Sequence, residues 1–198
     1  MLGTVYAGCC YSVLDTRQPA ARTQQVLSTL QPCLLITDRD HADAAAALGC
    51  SCSVYLLEDL LTAAVQPSLL AARRAQAVDV DPLYINFTSG STGVPKGVTV
   101  SHRSVLDFIP QFATIFGIKA QDILGNQAPF DFDVSVKDLY TALYTGAKVQ
   151  IIPRAYFSQP TKLMDYLADH EVTILVWAVS AMCFVSIMNG FGYRVPSA

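Results

Sequence analysis

The sequence predicts an α/β fold made of partly parallel sheets flanked by helices. Three observations carry that prediction. Apolar, strand-like runs alternate with helical runs in the order β-α-β-α-β between Cys9 and Leu57, and such alternation builds parallel sheets. The alternation resumes after Leu83 and continues to Trp177. Hydrophobic residues make up 52% of the 198 residues and charged residues 15%, against roughly 25% charged in ordinary domains. A chain of this kind can bury a sizeable core.

Taken in order, Cys9 to Leu14 reads as a buried strand, and Asp15-Thr16-Arg17-Gln18-Pro19 as a turn and helix start. Asp15 or Thr16 can cap that helix, and Pro19 suits its first turn. The helix from Ala20 to about Leu30 puts Val26, Leu27 and Leu30 on one face, and Pro32 closes it. Cys33 to Thr37 is a short strand, Ala42 to Leu48 an Ala-rich helix ended by Gly49, and Val54 to Leu57 another strand. Residues 58–82 read as a helix plus a surface connection. Leu83 to Phe87 and Gly97 to Val100 are strands around a glycine-rich loop. The helix after Ser101, with a kink expected at Pro110, repeats Leu106, Ile109, Ala113 and Phe116 at helical spacing. A helix after Asp133 carries Val136, Leu139, Tyr140 and Leu143 on one face. Val149 to Ile152 is a strand, Lys162 to His170 a helix, and 172–177 the last strand. No linker or shift in composition divides the chain, so one α/β unit is expected.

Composition narrows the function. With 13 Lys+Arg against 16 Asp+Glu the net charge is −3, and the absence of a basic run argues against nucleic acid as a partner. The uncharged stretch from Val172 to Tyr193 changes from β-branched to helical character and is interrupted by Thr173, Ser180, Ser186 and Asn189. A membrane span needs about 20 continuous apolar residues, so none is expected. The N-terminus lacks the basic start of a secretory signal. Six cysteines form no CxxC pair and have no histidine at ligand spacing, which argues against zinc and fits a reduced cytoplasm. His102 and His170 have no nucleophile beside them in the pattern, and no GxSxG elbow occurs.

The loop Thr88-Ser89-Gly90-Ser91-Thr92-Gly93-Val94-Pro95-Lys96-Gly97 is the most informative stretch. Its glycines let the backbone approach a ligand closely. Its hydroxyls and N–H groups offer donors to phosphate oxygens, and Lys96 adds a positive charge. It is not a Walker A loop, because Pro95 precedes the lysine and Gly97 stands where a magnesium-binding Ser or Thr would. An ordinary Gly/Ser hairpin is the plainer reading. The order of hydroxyl, glycine, proline and lysine favours phosphate.

This loop, with Val98 and Ser101-His102-Arg103 after it, closely resembles the phosphate loop of the adenylate-forming enzymes, the superfamily of acyl-CoA synthetases, luciferases and nonribosomal peptide synthetase adenylation domains. Ala7 to Asp15 resembles that family's upstream "AGCxYxPLD" element, with Val13 in place of proline. The resemblance implies ATP as substrate. Lys96, acting catalytically, would hold the β- and γ-phosphates together with Thr88, Ser89, Gly90, Ser91, Thr92 and Gly93, with Mg²⁺ bridging the phosphates.

Phe130 to Asp138 is the second informative stretch. From composition alone, Asp131 or Asp133 reads as an N-cap for the helix that follows. Phe132-Asp133-Val134-Ser135, however, resembles the "FDxS" element of amino-acid-activating members, which implies that Asp133 holds the substrate ammonium. A carboxylate in such a pocket also excludes substrates without the cation, which would leave it buried and unpaired. By position, Val134 and Lys137 would line the pocket. Segment 129–152, with Val176, Trp177 and Ser180, most resembles D-alanine–carrier protein ligases and related adenylation domains. Ala178-Val179-Ser180-Ala181 departs from the Thr-rich, proline-containing run usual there, and Trp177 also reads as ordinary core.

The resemblance implies an amino acid and a phosphopantetheine-bearing carrier protein as partners. The amino acid carboxylate would attack the α-phosphorus of ATP, and the acyl group would then pass to the carrier thiol. It also implies that residues 1–198 are an incomplete portion of the family's large N-terminal domain, without its C-terminal domain and unable to complete adenylation alone. Two alternatives stay open: an acyl-CoA synthetase-type acid–thiol ligase, and an inactive nucleotide-binding remnant.

Overall fold

The computed structural model describes residues 1–89 and 93–194. It is an α/β chain of short two-stranded sheets flanked by helices, and two of the three sheets are parallel. The chain divides into two compact units, residues 1–102 and 103–198, where an unbroken composition predicts one. The boundary falls one residue past a direct strand-to-helix junction, Ser101–His102, so there is no linker to betray it in the sequence.

The first unit opens with helix α1 (Leu2–Tyr6). The strand expected over 9–14 does not form. Only Tyr11 pairs there, as a single parallel bridge to Tyr84, and the two rings stack at 5.9 Å. One rung is what survives of that apolar run, because its other residues have no partner strand in register. Helix α2 (Ala20–Leu30) matches its expected bounds and buries Thr23, Val26 and Leu27. Pro19 occupies its N-cap without a side-chain bond. Asp15 instead accepts the backbone N–H and guanidinium of Arg17.

Strand β1 (Leu34–Thr37), helix α3 (Ala42–Ala47) and β2 (Ser53–Leu56) form a small β-α-β unit, parallel in register Leu34↔Ser53 to Thr37↔Leu56. Residues 58–82 hold two helices rather than one, α4 (Leu57–Thr62) and α5 (Pro67–Gln76), with Pro67 in the first turn of the second. Strands β3 (Pro82–Thr88) and β4 (Lys96–Ser101) form an antiparallel hairpin.

The second unit begins on α6 (His102–Ile115), which carries Pro110 inside it. It buries Val105, Ile109, Phe112 and Ala113, while Leu106 and Phe116 of the expected stripe lie exposed. Strand β5 (Ile123–Asn126), which no run in the sequence announced, pairs in parallel with β6 (Lys148–Ile151). Between them lies α7 (Ser135–Thr145), ended by Gly146 in the left-handed conformation. Its buried face is Ser135, Val136, Lys137, Asp138, Thr141 and Ala142, and the predicted Leu143 is exposed. The helix therefore buries a polar stripe that hydrophobic spacing could not reveal.

After a 3-10 turn (Arg154–Ser158) come α8 (Pro160–Asp169), α9 (Val179–Ile187) and α10 (Gly190–Tyr193). Residues 172–177 run beside β5 but form only the bridge Leu124↔Ile174. Leu163, Met164 and Leu167 of α8, with Val172 and Val185, are fully buried and make the core against which Phe157 and Trp177 pack. Among the described residues, no helix is long and apolar enough to cross a membrane.

Candidate functional site

The expected site residues fall in both units. In the first, Thr88 and Lys96 are the last rung of the β3–β4 hairpin, facing each other across the mouth of the loop. Antiparallel pairing thus sets the threonine and the lysine at the loop's two ends. Thr88, Ser89, Gly93 and Lys96 are exposed, and Gly93 sits at φ +80°, a backbone conformation that side chains rarely adopt. Pro95 is buried and anchors the returning chain. Gly90, Ser91 and Thr92 lie outside the described residues. Sequence reasoning overlooked Arg22, whose Nη2 donates to the Thr88 carbonyl at 3.2 Å. That bond ties α2 to the start of the loop, and its partners are too far apart in sequence for any local pattern to show it.

In the second unit the chain turns tightly through Pro129–Phe132, where the Phe132 N–H donates to the Pro129 carbonyl at 3.0 Å. Ser135 Oγ donates to the Phe132 carbonyl at 2.7 Å. Val134 is the N-cap of α7, and no side chain caps the helix. The expectation that Asp131 or Asp133 caps it is therefore corrected: the turn closed by Ser135 places Val134 at the cap. Asp133 is exposed, between exposed Phe132 and Val134. Its carboxylate has no hydrogen-bond or ion-pair partner among the described residues, so it is not spent on holding the helix.

One turn further on, Lys137 is buried and its Nζ lies 2.7 Å from Asp138 Oδ1. Asp138 Oδ2 accepts from Asn126 Nδ2 at 3.0 Å. Burial pushes the Asp138 carboxyl above its ordinary range, and the charge and hydrogen bond of Lys137, then the Asn126 bond, pull it part of the way back. Thr141 Oγ1, one further turn along α7, is buried with no hydrogen-bond partner among the described residues.

The C-terminal end of β5 ties these parts together. Trp177 Nε1–H donates to the Gly125 carbonyl at 2.7 Å, and its ring meets Phe157 edge-on at 5.1 Å. The next residue, Asn126, holds Asp138, and through it Lys137. Gln127 Oε1 then lies 3.5 Å from the Ala178 N–H, just before α9, whose first turn carries exposed Ser180. Three consecutive residues of one strand end thus position Lys137, Trp177 and the start of α9. A Cβ at Gly125 would come within 2.8 Å of Leu175 Cδ2 and 3.0 Å of Val172 Cγ1, so those side chains would have to shift to admit one. Ligands of parallel α/β sheets gather at the carboxyl ends of strands, and this one collects the polar groups of its unit. His102 opens α6, and His170, the C-cap of α8, stacks on Tyr166 and bonds its carbonyl through Nδ1.

The family model described as "AMP-binding enzyme" matches residues 1–190. The chain is 33% identical over 186 residues to syringomycin synthase SyrB1 of Pseudomonas syringae pv. syringae, covering 91% of this chain and 29% of SyrB1. It is 31% identical over 182 residues to the D-alanine--D-alanyl carrier protein ligase of Staphylococcus aureus (strain MRSA252), covering 92% of this chain and 36% of the ligase. Among solved structures, the four-domain nonribosomal peptide synthetase AB3403, bound to AMP and glycine, superposes with a TM-score of 0.77 at 24% identity, over 94% of this chain and 13% of that one. The chain thus spans about a third or less of the length of these relatives. The fold, the hairpin loop ending on Lys96 and the match over residues 1–190 together establish that the chain belongs to the AMP-binding enzyme family.

Proposed function

We propose that this chain is the phosphate- and amine-binding portion of an AMP-forming ligase that activates a free amino acid with ATP and passes it to a carrier-protein thiol. The observation that carries this reading is Asp133. It is an exposed carboxylate at the mouth of α7 that neither caps the helix nor pairs with a cation among the described residues. A substrate ammonium would supply the missing charge. The likeness to a D-alanine--D-alanyl carrier protein ligase supports an amino acid as substrate and a carrier protein as acceptor.

In this reading Lys96, Thr88, Ser89 and Gly93, with Gly90, Ser91 and Thr92 of the same motif, hold the β- and γ-phosphates. Asp133 holds the substrate ammonium. Val134, Lys137, Trp177 and Ser180 line the side-chain pocket. The carboxylate oxygen bonds to the α-phosphorus, the bond to pyrophosphate breaks, and the contribution of these residues is positioning and charge stabilisation. Among the described residues no three His, Cys, Asp or Glu side chains gather as a metal-ligand set. Mg²⁺ bound together with ATP would offset part of the triphosphate charge. The use of ATP and of reduced thiols fits a cytoplasmic location.

The chain spans 36% of the D-alanine ligase, and we infer that residues 1–198 alone do not complete adenylation. ATP–pyrophosphate exchange tests both statements. The reading expects exchange that depends on an amino acid, is abolished by D133N in the complete reading frame, and is absent from the 198-residue chain. Exchange supported only by fatty or aryl acids would instead select an acid–thiol ligase, and failure of the complete protein to bind ATP would select an inactive remnant.

A further inference from the structure

We infer that Cys50 and Cys52 are a redox-active dithiol, a modification site that closes to a disulfide on meeting a small-molecule disulfide such as glutathione disulfide. Cys9, Cys10, Cys33 and Cys183 are exposed free thiols, whereas Cys50 and Cys52 are half-buried. Their Sγ atoms lie 2.7 Å apart, closer than two sulfurs rest in van der Waals contact. The fold brings them together from both sides. After α3 the chain reverses at Gly49, φ +66°, and bends again through Ser51 and Cys52. Cys52 is then held by the strand that starts beside it, since Ser53 is in register with Leu34 of β1. The same register sets Cys33 one step before Leu34, on the edge that Cys52 occupies. The register thus places Cys33 across from Cys52, and Cys50 and Cys52 are the two whose sulfurs touch. No metal-ligand set forms there among the described residues.

The two sulfurs have different parts to play. The hydrogen bond with Cys50, then burial, then the Cys50 charge push the Cys52 thiol up, which disfavours its thiolate. The Cys50 thiolate bonds to one sulfur of glutathione disulfide, and glutathione leaves as a thiolate. The Cys52 sulfur then displaces the second glutathione from Cys50, its proton leaving with that glutathione. Two protein thiols are oxidised and one glutathione disulfide is reduced to two glutathiones. A ring closed across one intervening residue is tight, and strained disulfides are the readily reduced ones, so the pair cycles rather than locks.

The test uses the 198-residue chain, incubated with glutathione disulfide, quenched in acid, alkylated in denaturant and mapped by mass spectrometry. The peptide with Cys50 and Cys52 is expected to lose two hydrogens, take up no alkylating agent, and recover both thiols with dithiothreitol. C50S and C52S each abolish the product and leave a glutathione adduct on the remaining thiol, while C33S leaves it unchanged. Circular dichroism of the variants separates loss of the pair from loss of fold. The inference is overturned if both thiols are alkylated while adducts collect at Cys9, Cys10, Cys33 or Cys183, or if Cys33 is found bonded to either. Equally fast closure in urea would also overturn it, since sequence proximity alone would then suffice.

Discussion

Lys137 and Asp138, neighbours in sequence on the first turn of α7, form a buried ion pair of 2.7 Å that Asn126 completes from the end of β5. Side-chain exposure of 10% and 3% leaves little water to compete. A buried pair of this kind is costly to break from one side, because the partner is left uncompensated. K137M is expected to destabilise the fold by about 3 kcal/mol at neutral pH, measured by urea unfolding, because it strands the buried carboxylate of Asp138.

The same residue sets a pH dependence. Burial raises the Asp138 carboxyl above 3.8 in the folded chain, against the opposing pull of Lys137 and Asn126. The folded state therefore binds this proton more tightly than the unfolded one. Its contribution to stability is full below 3.8 and is lost as pH rises through the raised folded value. D138N removes this component of the stability–pH curve. K137M, which deletes the cation that pulls the carboxyl back, should steepen it and carry it to higher pH; denaturation series across acid and neutral pH read both.

Asp133 predicts the opposite pattern to Asp138. It is exposed and caps nothing, so D133N should change unfolding free energy by no more than about 0.5 kcal/mol. Amino-acid-dependent pyrophosphate exchange by the complete protein should nevertheless be lost. A stability loss of 1 kcal/mol or more, typical of a removed helix cap, would return the residue to a structural role.

Lys96 is exposed at the hairpin mouth, and K96A should leave stability almost unchanged. Loss of one charge-assisted contact is worth about 1.5–3 kcal/mol, so kcat/KM for ATP in the exchange reaction of the complete protein should fall by roughly 10- to 150-fold. Unaltered ATP dependence would remove Lys96 from phosphate binding.

Gly125 and Trp177 test the β5 end. G125A drives a methyl against Leu175 and Val172 and should cost about 1–3 kcal/mol. W177F deletes the donor to the Gly125 carbonyl and should cost about 1–3 kcal/mol, the range for a buried group left unpaired. Thermal unfolding measures both.

Much of this molecule was legible in one dimension. The bounds of α2, the β1–α3–β2 unit and the hairpin around the glycine-rich loop follow from local periodicity and from Gly and Pro placement. Lys96 and Asp133 stand out because their motifs are contiguous. The run at 9–14 and the one at 172–177 read as strands because apolar content is local, but a strand also needs a neighbour in register, and each found only one rung. Strand β5 failed to register in the sequence for the converse reason: four residues containing Gly125 and Asn126 become a strand through pairing with β6.

The sequence by itself determined the family, the fold class and the two motifs, since each is encoded in contiguous residues whose preferences act locally. The tertiary structure decided that Asp133 stays outside the helix cap, that Lys137 is paired with Asp138, which Asn126 holds, and that Trp177 hangs on Gly125. The last two depend on burial and on hydrogen bonds between distant segments, the first on the local turn that Ser135 closes. In the low-dielectric interior such contacts decide which charge is paired and which stays open to a ligand.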